Sequence, residues 1–220
     1  MKSERYVPAL AFDFLTGWYD PVVSWTTRER TFRKALLAQM KLVPGETVLD
    51  VGCGTGTFLS DIAAVTQHVD LVGIDGDNRI LQRAHAKVAL YRSKVRLVRA
   101  LADQLPFESD SFSKVSCSLF LHHLERAGKI KALQEMHRVV RPKGQLHIAD
   151  WGKPSSLLME AAFLSVRILD GFSPTRDHAS GELPLLVREA GFKSVETTEQ
   201  FSTPCGTITL LRAVKSDSIA

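Results

Sequence analysis

Cysteine is scarce in this chain: Cys53, Cys117 and Cys205 are its three, far apart and without a C-x-x-C pair. That excludes a disulfide framework and the common zinc modules, and it fits a reduced, intracellular protein. Long apolar runs are also lacking. No stretch approaches the roughly 20 residues of a membrane span, and the N-terminus has no signal-peptide core, so the expected location is the cytoplasm. There is no block of like charge. Lys and Arg number 28 against 24 Asp and Glu, for a net charge of +4 and a pI near 9.0. The basic residues are scattered and not interleaved with aromatics, so no nucleic-acid partner is expected and membrane contact is at most peripheral. Repeats and low-complexity tracts are absent. What remains is 220 residues, 45% hydrophobic, enough for one domain with a sizeable core.

The informative stretch is Thr47 to Phe58. Val48, Leu49 and Val51 form an apolar run of strand length, and Gly52, Gly54 and Gly56 follow at every second position. Phe58, Leu59, Ile62 and Ala63 then take up helical spacing. A strand, a glycine turn and a helix start make the nucleotide pocket of a parallel α/β sheet. The dinucleotide fingerprint needs G-x-G-x-x-G, but this run is Gly52-Cys53-Gly54-Thr55-Gly56. Asp50, just ahead of it, would be awkward beside a pyrophosphate and well placed for an ammonium group. The pattern therefore points to S-adenosylmethionine (SAM), with S-adenosylhomocysteine as product, rather than to NAD.

The rest of the chain alternates strand and helix, which predicts a doubly wound, mostly parallel sheet with helices on both faces and an antiparallel C-terminal strand. Residues 1–44 read as an N-terminal helical flap, most of it a helix packing on the sheet's outer face, with Trp18 and Tyr19 able to cover the cofactor cleft. Residues 45–214 read as the main domain. A second strand ends at Asp75-Gly76, 23 residues after Gly52, near the offset at which an acid meets a ribose diol. Residues 77–91 read as a helix. A third strand leads to Leu101-Ala102-Asp103, expected beside adenine. A fourth, Phe112 to Phe120, brings Leu119 to the cleft and is followed by His122 and His123. Arg141 to Gly144 reads as a turn before a fifth strand. The rhythm then breaks over residues 153–181, which read as an inserted helix and loop able to overhang the cleft. Arg176, Asp177 and His178 read as part of a solvated loop, with orientation of a polar or anionic acceptor group as the alternative.

These residues resemble the class I SAM-dependent methyltransferases, and among them the ubiquinone/menaquinone biosynthesis branch. The resemblance covers roughly residues 12–154. It rests on Phe12-Asp13, Tyr19-Asp20, the glycine motif, Gly73-Ile74-Asp75, Leu105-Pro106-Phe107, and Arg138 to Gly144 leading to Asp150-Trp151-Gly152-Lys153-Pro154. It implies that Gly52, Cys53, Gly54, Thr55 and Gly56 hold the methionyl part, with Asp50 on its ammonium group. Asp75 would take the ribose, Leu101 to Asp103 would border adenine, and Tyr19 would close over the cofactor. The chain departs from the pattern at Leu101, Ser113 and Lys143, where an acid, an Asp and a Gly are usual. The acceptor implied is small, lipophilic or aromatic, of quinone-precursor type. An amine or phospholipid headgroup is the alternative acceptor, and a non-catalytic SAM-binding regulator the alternative class. The expected reaction needs no metal. His122 or His123 is the candidate base, since imidazole titrates near neutral pH.

Overall fold

The structure is a computed structural model that describes residues 28–66, 68–89, 91 and 95–217. Tyr19, Trp18 and the rest of the flap before residue 28 lie outside the described residues.

Alternation builds the sheet. Along β1 (Thr47–Val51), Val48 joins one buried cluster and Leu49 the opposite one; along β2 (Asp70–Asp75), Leu71 and Val72 divide in the same way. Neighbouring side chains on a strand point to opposite faces, so apolar residues at both parities require cover on both sides. On one side lie α1 (Glu29–Met40), α2 (Thr57–Val65) and α3 (Asn78–Val88), burying Phe32, Leu36, Phe58, Leu59, Ile62 and Leu81. On the other lie α4 (Arg126–Val139) and α7 (Leu183–Glu189), burying Leu133, Met136 and Leu186. Gly73 lets α2 come close, because a Cβ there would stand 2.4 Å from Leu59.

β3 (Val95–Arg99), β4 (Phe112–Ser118), β5 (Val140–Trp151), β6 (Lys193–Thr203) and β7 (Gly206–Val214) complete a seven-stranded sheet in the order β3-β2-β1-β4-β5-β7-β6. β1 to β5 run parallel, and β7 is antiparallel to both β5 and β6. The chain winds outward from β1 to β3 and then returns to β4 on the other side of β1. A ligand crevice opens at such a reversal, at the carboxyl ends of the strands.

Several expected boundaries move. The helix read over 77–91 is α3, ending at Val88. The fourth strand stops at Ser118, because Leu119 takes a left-handed φ of 48° and Leu121–His123 form a single 3-10 turn. β5 begins at Val140, so Arg141 to Gly144 are not a turn ahead of the strand. They form an irregularity within it, between the pairs Phe112 with Val140 and Lys114 with Gln145. The inserted segment holds α5 (Leu157–Asp170) and a short α6 (Arg176–Ser180).

Candidate active site

Main chain dominates the first half of the site. Gly52, Gly54 and Gly56 all have positive φ, at 70°, 53° and 73°, a region that a side chain enters only at a cost. A Cβ on Gly52 would lie 2.5 Å from the Phe120 ring, so the turn and the segment after β4 are in direct contact. A Cβ on Gly54 would meet no atom within 4 Å; this glycine borders open space. The turn is tied to β2 by a Cys53 N–H donating to the Ile74 carbonyl at 2.8 Å. From α3, the Lys87 ammonium donates to Thr55 and Thr57 at 2.9 and 2.6 Å.

Two carboxylates flank the turn. Asp50 is 2% exposed and accepts a hydrogen bond from Ser116 Oγ at 2.7 Å. Burial pushes its pKa up to about 7; the Ser116 hydrogen bond opposes the rise and Asp75 adds to it. Asp75 accepts from the Gly54 N–H at 3.0 Å on one oxygen and from the Asp77 N–H at 2.9 Å on the other. Burial raises its pKa, and these backbone donors work against the rise. Each carboxylate oxygen has a second lone pair, so Asp75 can brace the turn and still accept from a diol. Leu101 lies close by, since the Ala100 N–H bonds the Asp75 carbonyl at 3.1 Å. Leu101 and Asp103 are exposed and Ala102 is buried.

Side chains dominate the second half, at the carboxyl ends of β4 and β5. Asp150 is fully buried and accepts from the Leu121 N–H at 2.9 Å, the Trp151 N–H at 2.7 Å and the His122 ring Nδ1 at 2.7 Å. Burial alone would raise its pKa, but His122, His178 and these donors hold it well below the usual carboxylate range. An ionised carboxylate only accepts, so His122 Nδ1 carries the proton. His123 sits beside His122 with ring centroids 4.0 Å apart, and burial pushes its pKa down to about 3. His178 is also fully buried, correcting the solvated-loop expectation; its Nδ1 donates to the Trp151 carbonyl at 2.7 Å. The loop is held in by Asp177, whose carboxylate meets the buried Lys129 ammonium at 3.0 Å and also pairs with Arg126.

The structure thus brings together Asp50, the glycine turn, Asp75, Gly76, Leu101 to Asp103 and Leu119, with His122 and His123 on the β4 side. Sequence reasoning missed Asp150 and Asp170 as site residues and placed His178 in solvent. A cleft of about 510 Å³, lined by Thr47, Asp70, Arg96 and Phe107, lies at the amino ends of β1 and β2, away from all of these groups.

A general methyltransferase-domain model matches residues 48–144, the span from β1 to the irregularity in β5. The chain carries a class I, SAM-dependent methyltransferase domain. A demethylmenaquinone methyltransferase from Oceanobacillus iheyensis is 31% identical over 156 residues, covering 69% of this chain and 65% of that protein. The ubiquinone/menaquinone biosynthesis C-methyltransferase UbiE of Geotalea daltonii is 28% identical over 135 residues, covering 60% of this chain and 57% of that one. The chain therefore spans under two thirds of the length of these relatives. Among solved structures, the Haemonchus contortus phosphoethanolamine N-methyltransferase 2, in complex with S-adenosylhomocysteine, shares the fold. Its TM-score is 0.68 at 17% identity, covering 85% of this chain and 53% of that one. The methyltransferase domain has SAM as its cofactor, and the residues present fit that molecule: a bare main-chain turn open at Gly54, with buried Asp50 on one side and half-buried Asp75 on the other. Among the described residues, no helix is long and apolar enough to cross a membrane.

Proposed function

We propose that this chain transfers the methyl group of SAM to a small, lipophilic aromatic acceptor of the quinone-precursor type. The observation that carries this reading is the juxtaposition of a glycine turn, flanked by Asp50 and Asp75, with a buried His–Asp couple one strand away. SAM supplies an electrophilic methyl on a sulfonium centre. Asp50 is placed for its ammonium group, Asp75 for the ribose diol, and Leu101, Ala102 and Asp103 for adenine. Cys53, Thr55 and Gly76 fall to the walls of the same pocket, and Leu119 borders it from just beyond β4. Tyr19 is proposed to close the pocket from the flap.

The chain's share in catalysis is orientation and exclusion of water, which contribute about 7–11 kcal/mol in well-aligned reactions. A phenol or an activated ring carbon must also lose a proton. His122, oriented by Asp150, or its neighbour His123 is proposed to take it. The acceptor's character is supported by the relatives' names and by the insertion. Next to Asp170, Leu169 is 84% exposed and Ile168 and Phe172 are also uncovered, and at the far end of α5 Leu157 and Leu158 are exposed as well. Such a rim suits an acceptor with a hydrocarbon tail. A phospholipid or amine headgroup is the second reading, favoured only by the shared fold of the phosphoethanolamine enzyme. It would call for aromatic faces around a cation, whereas the described acceptor end offers imidazoles and carboxylates. Labelled SAM with demethylated quinols, simple phenols and phosphoethanolamine tests the choice. Product from quinols supports the proposal, product from phosphoethanolamine alone replaces it with the second reading, and SAM binding without any product favours a regulator.

A further inference from the structure

Asp170, at the last turn of α5, points its carboxylate at the two histidines that follow β4. One oxygen lies 3.7 Å from His122 Nε2 and the other 3.5 Å from His123 Nδ1. These separations are too long for good hydrogen bonds, yet one ligand atom from each residue falls within 4.8 Å of the others. Two ligands each about 2.1 Å from a tetrahedral metal stand about 3.4 Å apart. The two histidine–carboxylate separations thus match the spacing of ligands, and the third pair lies within 4.8 Å.

We infer that His122, His123 and Asp170 form a site for a divalent transition-metal ion of the zinc class, facing the acceptor end of the cleft. Two imidazoles and one carboxylate are a recurrent set for such ions and leave coordination positions open. The surroundings supply what a ligating histidine needs. His122 gives its Nδ1 proton to buried Asp150, which fixes the ring and turns the Nε2 lone pair outward toward Asp170. A second, independent feature is His178. Fully buried and standing edge-to-face with His122 at 6.0 Å, it has its Nδ1 taken by the Trp151 carbonyl and its Nε2 without a partner among the described residues. A buried imidazole nitrogen left so next to His122 is an unmet polar group, and a water held by an ion in the cluster would give it a partner.

The inference rests on the proposed methyl transfer and deepens it, with coordination of the acceptor oxygen taking the place of the histidine base. An ion held here by three protein groups has room for an oxygen of the acceptor, so the substrate class narrows to hydroxyl-bearing aromatics such as quinols. Coordination lowers the pKa of a bound hydroxyl, which then passes its proton to water and needs no free imidazole base. His122 and His123 become ligands. The insertion acquires a definite role, because it carries Asp170 to the histidines.

The probe is Co²⁺, added to metal-stripped full-length chain and followed by its visible d–d absorption and by calorimetry. The expected result is a single equivalent bound, with affinity reduced at least about tenfold in His123→Ala and in Asp170→Ala, and by about 10–100-fold in Asp150→Asn. His85→Ala, on exposed α3, should change nothing. Unchanged SAM affinity and circular dichroism certify each fold, and Asp170→Asn serves should Asp170→Ala fail to fold. The inference is overturned if no d–d band develops, or if binding survives both ligand substitutions. SAM binding and quinol methylation are read separately. Methylation that persists with the protein stripped of metal and unable to take up Co²⁺ removes the ion alone, whereas Co²⁺ binding without SAM binding removes the methyltransferase reading alone.

Discussion

Replacing Asp50 by Asn keeps the shape of the side chain and removes its charge, which sets the stability of the free protein against its affinity for SAM. Burial pushes the Asp50 pKa from its ordinary 3.8 up to about 7, against the opposing hydrogen bond from Ser116 and with a further push from Asp75. The folded chain keeps a proton that the unfolded chain releases above about pH 4. A raised carboxyl pKa therefore contributes stability that is fully present below the unfolded pKa and is lost as pH rises through the folded one. At about 1.36 kcal/mol per unit the loss across this window is about 4 kcal/mol. Asn carries no charge in either state and escapes it. Urea unfolding of the cofactor-free protein should find Asp50→Asn more stable than the parent, with the gap widening by about 3 kcal/mol from pH 5 to pH 8. The opposite is expected of the cofactor. Loss of a hydrogen bond to a charged group, about 1.5–3 kcal/mol, should weaken SAM by roughly tenfold to a hundredfold in calorimetry. A gap that does not change with pH would refute the buried-charge argument. A gap that opens as expected, beside an unchanged SAM affinity, would refute the placement of the ammonium group on Asp50.

Three further substitutions probe the frame. Gly52→Ala places a methyl 2.5 Å from the Phe120 ring at a φ of 70°, and should cost about 1–3 kcal/mol in denaturant unfolding while abolishing SAM binding; a well-folded variant that binds SAM normally would contradict the close-approach role. Asp75→Asn should weaken SAM by about 1–2 kcal/mol, and Asp75→Ala by more, because the Asn oxygen can still accept from one of the Gly54 and Asp77 N–H groups whereas Ala leaves both without an acceptor. Equal affinities in the two variants would show that bracing of the turn contributes nothing. Asp177→Ala should destabilise by about 3–5 kcal/mol, since it strands the buried Lys129 ammonium, whereas Lys129→Met with Asp177→Leu should come much closer to the parent.

The proposed donor half of the site could be picked out from sequence because its signal is local. Strand, three glycines and helix start lie within a dozen residues, and the acid of β2 follows at a fixed offset, so Gly52 to Gly56, Asp50 and Asp75 could be read without a fold. The alternation of Val48 with Leu49 and of Leu71 with Val72 likewise gave away a sheet covered on both sides. Boundaries were less legible where backbone conformation broke a smooth pattern. Nothing in Leu119 announces a left-handed φ, and it ends β4 two residues before the apolar run does. Pro142 and Gly144 are turn residues by habit, yet pairing of Val140 with Phe112 draws them into β5 as an irregularity. His178 looked solvated because Arg176 and Asp177 stand beside it. The ion pair of Asp177 with Lys129, 48 residues away, pulls the loop under the surface.

Different physics in the two halves also explains why one is read so much more easily than the other. The donor pocket is mostly main chain, and main chain tolerates few sequences where φ must be positive and a ligand must come close. The acceptor wall is assembled from side chains at sites far apart in sequence: His122 and His123 after β4, Asp150 at the end of β5, Asp170 and His178 in the insertion. Each is an ordinary residue in its own neighbourhood, and only strand order makes them neighbours. β1 adjoins both β2, which carries Asp75, and β4, which leads to the histidines, so the two halves meet across a single strand. On this arrangement residues 153–181 can vary in length and composition without disturbing the glycine turn, since their anchors are α4, the end of β5 and β7 rather than β1. Exchange of that segment should therefore change which acceptor is methylated while leaving SAM affinity within a few-fold of the parent, and a parallel collapse of SAM binding would show that the halves are not separable.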